Sequence, residues 1–99
     1  MTDIDTIKNR ILTLREKQVM LDGDIAECYG VSTKQLNQAV KRNSARFPSG
    51  FMFQLSEDEK DNVVTNCDHL NRLKYSPTLP YAFTEQGVAM WGLFIVNIL

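Results

Sequence analysis

Between residues 32 and 46 the chain carries Thr33, Lys34, Gln35, Asn37, Gln38, Lys41, Arg42, Asn43 and Arg46, and no acidic residue. These are side-chain types that recognise nucleic acid. The amides of Gln and Asn make paired hydrogen bonds to adenine edges, and Lys and Arg do the same to guanine, in a major groove wide enough for a helix. On a helix, Thr33, Lys34, Gln35, Asn37, Gln38 and Lys41 are the candidates to face bases. Arg42, Asn43 and Arg46, at its end, are placed for phosphates, which fix register without reading sequence. Each has a plainer account. A solvated helix face is commonly rich in Gln, Asn and Lys, and terminal cations compensate the helix dipole or pair with a distant acid. Asn43 has a further role open to it, as a cap or a tie for the Phe47-Pro48 turn.

Such chemistry needs a helix held at a fixed angle, and the preceding residues supply the means. Ile25, Ala26 and Tyr29 form a short helical face, Gly30 follows, and Leu36, Ala39 and Val40 form a second. Ala26 is small enough for two helices to cross closely, and Gly30 can take the backbone angles of a tight corner. Leu36 and Val40, four apart, turn one face of the second helix inward. This is the spacing of a helix-turn-helix. Asp22 or Asp24 is expected to cap the first helix, with Glu27 completing a capping box after Asp24. Ser32 or Thr33 is expected to cap the second, with Gln35 in the third position after Ser32. Phe47-Pro48 stops it, with Phe47 anchoring the turn in the core.

A formal charge of −1 over 99 residues does not advertise a nucleic-acid partner, but its distribution does. Residues 1–27 hold four basic and six acidic side chains, and residues 57–99 hold three and six. Residues 28–56 hold four basic side chains and no acid, so the positive charge gathers on and just after the second helix.

The remaining segments frame that helix. Residues 18–21 read as a strand ending at the Asp22-Gly23 turn pair, and residues 51–55 as a second, with Phe51 and Phe53 alternating. Ser56 begins a helix, with acids in its first turn and Glu59 in the box position. Residues 67–78 read as a polar, irregular loop. Residues 79–83 read as an edge strand, because Pro80 lacks a donor. Thr84 caps a last helix in which Gly87 is a local weakness and the apolar residues run almost all round. A helix of that kind needs cover, from a partner chain or a missing continuation.

Enzymatic readings find little support. His69 is the sole histidine, and the Cys67/His69 proximity has no second pair at metal-ligand spacing. Glycines occur singly, and the Glu57/Asp58/Glu59 run is better read as a helix start than as a general acid and base. No cofactor, metal or enzymatic activity is expected. The amino terminus lacks a signal-peptide core, and the apolar carboxy-terminal run of about ten residues is too short for a bilayer. A cytoplasmic, reducing setting follows, without a membrane partner.

Three strings, VMLDGDIAECYGVSTKQLNQAVKRN, ARFPSGFMFQLSEDE and LPYAFTEQGVAM, give the chain its resemblance to a known family. It resembles the phage and prophage "ORF-six N-terminal" (ORF6N) DNA-binding domain, a relative of the KilA-N domain of phage antirepressors. The resemblance covers residues 19–90 in the family's order. It implies an α+β domain with a helix-turn-helix-like core and short strands or a hairpin. Residues 1–17 are then a partly flexible lead-in and residues 18–99 the domain, the amino-terminal part of a longer protein. It also implies double-stranded DNA as partner, or a repressor or host protein in an antirepressor role. The family's basic segment falls on Arg42, Asn43, Arg46 and Phe47. The polar loop where further basic residues are expected offers only Arg72 and Lys74. The apolar ending marks the last helix as a candidate homodimer contact.

Overall fold

Val19, Met20 and Leu21 are all buried, although alternate residues of a strand face opposite ways. Both faces of this strand are therefore covered. The computed structural model describes residues 10–66 and 68–98, with the side chains of residues 68, 69, 71, 72 and 93–98 outside the description. Its elements run β1 (Leu12–Leu14), β2 (Lys17–Leu21), α1 (Asp22–Tyr29), α2 (Thr33–Arg42), a 3-10 turn (Ser44–Arg46), β3 (Met52–Gln54), α3 (Glu57–Asn66), a 3-10 segment (Asp68–Tyr75), β4 (Tyr81–Thr84) and α4 (Glu85–Ile98). The fold is α+β, with four helices and one antiparallel four-stranded sheet in the order β1-β2-β4-β3. The sheet begins at Leu12, inside the segment read as a lead-in.

The register of β2 on β4 sets Met20 opposite Phe83 and Leu21 opposite Ala82. Met20 and Phe83 join Ile25, Ala26, Leu36, Val40, Phe47 and Trp91 in one core, which carries α1, α2 and α4. Val19, Leu21 and Ala82 join Leu55, Val63 and Leu70 in a second core, which carries α3 and the long 3-10 segment. The domain is thus a sheet with helical structure on both faces. The helix-turn-helix occupies one of them.

Several expectations need correction. Helix α1 starts at Asp22, directly off β2, with Leu21 at the N-cap and no side-chain cap bond. Asp24 therefore lies inside the first turn, fully buried, and the box with Glu27 does not form. Glu27 instead receives both arms of Arg10, at 3.0 Å each. The segment after residue 67 is not an irregular loop but a 3-10 helix. Leu70 and Leu73, three apart, match its three-residue repeat and seat it on the second core. Strand β4 is central, not at an edge. Pro80 escapes the ladder by preceding the strand, and its carbonyl accepts the Leu55 N–H at 2.9 Å. Gly87 is no weakness, because a Cβ there would collide with the Phe51 carbonyl.

Candidate nucleic-acid interface

The corner before α2 is built entirely from local signals. Gly30 takes φ 70° and ψ 28°. Its N–H bonds to the Glu27 carbonyl at 3.2 Å, and the Val31 N–H reaches the Ala26 carbonyl at 3.0 Å. That pair of bonds is the Schellman closure of a helix, and it needs the left-handed conformation that glycine adopts freely. Ser32 then opens α2 with a complete capping box. Its Oγ accepts the Gln35 N–H at 3.0 Å, and its own N–H donates to Gln35 Oε1 at 2.9 Å. Both cap expectations for α2 hold.

Leu36 and Val40 bury the inner face of α2, and Phe47 closes the far end with its ring edge-on to Phe83 at 6.0 Å. Asn43 Nδ2 donates to the Ala39 carbonyl at 2.9 Å, so Asn43 caps the helix. Pro48 follows at the surface, and its carbonyl accepts the Phe51 N–H at 2.8 Å to start the next turn.

Lys34, Gln35, Gln38, Lys41 and Arg42 are exposed away from that inner face, Thr33 is exposed in the first turn on the Leu36 and Val40 side, and Arg46 is exposed at the end of the 3-10 turn. Lys34, Gln38, Lys41 and Arg42 stand four, seven and eight residues along, which places them on one stripe. With side chains an α-helix is about 10–12 Å across, which fits a major groove about 12 Å wide.

Three of the sequence candidates sit differently. Asn37 is half-buried, and its amide turns inward to donate to Asp22 Oδ2 at 3.0 Å, so it does not share the outward stripe. Asp22 is itself buried, and the Tyr81 backbone N–H also reaches it, at 3.4 Å. Lys74, exposed and 5.8 Å from the Tyr75 ring centre, belongs to the 3-10 segment on the other face of the sheet. The structure does not bring it to α2. The backbone of Arg72 lies in that same segment, and its side chain falls outside the described residues. The anchoring role of Asp22 was not legible, since the residues it joins are 15 and 59 positions away.

Protonation shifts in this domain have structural causes. The Arg15 guanidinium and the Ser56 N–H hold the Glu59 carboxyl down at about 2. Hydrogen bonding to Glu27 raises Arg10, and burial raises the Cys28 thiol. A thiol raised in this way is protonated and unreactive near neutral pH. Among the described residues no group of His, Cys, Asp or Glu is placed to hold a metal ion, and no helix is long and apolar enough to cross a membrane.

A small α+β domain that closes one short helix through glycine and presents a basic second helix has a helix-turn-helix-like core. Residues 9–92 match the ORF6N domain, and the chain belongs to that family. No curated protein and no solved structure matches it. ORF6N is a non-catalytic domain family of KilA-N-like character, and membership supports a regulatory role exercised by binding DNA or protein.

Proposed function

We propose that this domain binds double-stranded DNA by placing α2 in the major groove, as part of a phage- or prophage-type regulator acting in the cytoplasm. Thr33, Lys34, Gln35, Gln38 and Lys41 meet base edges. Arg42 and Arg46 meet flanking phosphates, with Asn43 holding the helix end between them. The observation that carries this reading is the exposed stripe of Lys34, Gln38, Lys41 and Arg42 in a stretch without an acid, backed by a fully capped helix. Two copies joined through α4 about a two-fold axis would match a palindromic site and restore the affinity a single short helix lacks.

Titration of duplex DNA against added salt tests it. Each neutralised phosphate releases counterions, so log K falls against log salt by about 0.9 per contact. Lys41→Ala and Arg42→Ala are both expected to weaken binding, Arg42→Ala flattening that slope by about one as a phosphate contact and Lys41→Ala relaxing sequence preference as a base contact. Both variants should keep the wild-type melting temperature. Unchanged affinity in both would remove α2 from the binding surface.

A second reading has one observation in its favour. A cavity of about 360 Å³ lies beside the end of α2, lined by Val40, Phe47, Met52 and Tyr81 with Asn37, Lys41 and Ser44. An apolar notch of this kind suits a side chain from a repressor or host protein, the antirepressor alternative. Capture of such a partner together with salt-insensitive failure to bind DNA would favour it.

A further inference from the structure

Asp22 is 6% exposed, yet its carboxylate is shared among three elements. Oδ1 accepts the Gly23 N–H at 2.7 Å at the start of α1. Oδ2 accepts the Asn37 amide from the middle of α2 at 3.0 Å and faces the Tyr81 N–H at the start of β4, at 3.4 Å. Asn37 Oδ1 is buried and has no hydrogen-bond partner among the described residues. Water would satisfy that oxygen if the amide faced solvent, so the Nδ2 bond to Asp22 is what holds the amide inward against that cost.

We infer that Asp22 and Asn37 form a positioning pair that sets the angle of α2 on the sheet, and that Asn37 acts through Asp22 rather than on a base. The inference rests on the DNA-binding reading above and deepens it. Leu36 and Val40 fix α2 by apolar contact, which is non-directional and tolerates rotation. The Asp22–Asn37 bond, charge-assisted and directional, is the polar tie between α2 and the sheet-bound start of α1. A helix free to rotate keeps its flexible lysine contacts to phosphate, whereas paired contacts to base edges demand fixed geometry. The pair therefore governs sequence discrimination more than general DNA affinity.

The test is a double-mutant cycle of Asp22→Ala and Asn37→Ala. Binding is read on a duplex selected by the wild-type protein from a randomised pool and on unselected duplex. Each single variant is expected to lose about tenfold on the selected duplex, the scale of one charge-assisted hydrogen bond. Each should change less than about twofold on unselected duplex. The double variant should be no weaker than the weaker single one, since both break one tie. Asp22→Asn, which keeps one acceptor oxygen for Asn37 but sets an NH2 against the Gly23 N–H, should recover part of the loss. If Asp22→Ala fails to fold by circular dichroism, Asp22→Ser runs the same cycle.

Multiplying losses in the double variant would overturn the inference, as would loss in Asn37→Ala alone, the pattern of a direct base contact. Wild-type affinity in both single variants overturns it too. Failure of the wild-type protein to bind any duplex in a salt-dependent way removes the DNA-binding reading and this inference together. Binding by wild type with an uncoupled cycle removes this inference alone.

Discussion

At Gly87 the first turn of α4 passes so close to Phe51 that an added Cβ would strike its carbonyl oxygen, which also accepts the Thr84 N–H at 2.9 Å. Backbone cannot move aside as a flexible side chain can. Gly87→Ala should therefore destabilise the domain by about 3 kcal/mol, the upper range for overpacking. Gly50→Ala, with open space around it, should stay within about 0.5 kcal/mol in the same denaturant titration. Gly30 differs again. Nothing lies near its missing Cβ, but its φ of 70° is left-handed, so Gly30→Val should cost about 2 kcal/mol through backbone strain alone. Gly30 was legible from sequence because the chain before and after it sets its role. Gly87 was not, because its neighbour lies 36 positions away. The contact of Asn37 was hidden for the same reason: helical periodicity gives its approximate face, but only the fold supplies Asp22.

Among the elements, those with local instructions read well. Ser32 with Gln35, and Ser56 with Glu59, each close a box within four residues, and both helices begin where those pairs place them. The 3-10 segment and the central place of β4 depend on which sheet face and which neighbour each meets, and no short window encodes that. The β1–β2 hairpin has a cost of its own. Arg15 and Glu16 form a two-residue turn with φ of 52° and 64°, angles that suit Asn-Gly better than long side chains. Glu16→Gly should stabilise the domain by about 0.5 kcal/mol, the relief of left-handed strain less the extra freedom of the unfolded chain, seen as a raised Tm. Arg15 has a reason to stay. It donates to both Glu59 oxygens at 2.9 Å and lies 4.0 Å from the Phe53 ring centre, tying the hairpin to the start of α3. Glu59 is depressed from 4.5 to about 2 in the folded protein, so its contribution is complete above pH 4.5 and is lost as pH falls toward 2. Melting temperatures across that window should fall less steeply for Arg15→Gln than for wild type. The Ser56 N–H keeps part of the effect.

At the scale of the whole molecule, the sheet separates two jobs. One core seats the helix-turn-helix and α4, and the other seats α3 and the 3-10 segment that carries Lys74. The net charge of −1 conceals this separation, because acidic runs at both ends of the chain offset a basic middle. Lys74 and the backbone of residue 72 lie across the sheet from the α2 cations, a separation that their order along the chain does not reveal. The fold class and the capped, basic second helix of the corner were thus legible, while the place of Lys74 across the sheet from that helix was not. Whether DNA meets the outward face of α2 is read from backbone amide shifts, followed by nuclear magnetic resonance as short duplex is added to labelled protein. The largest changes are expected on residues 33–46, with small ones on residues 57–75. Changes centred on residues 57–75, with α2 unmoved, would contradict that contact.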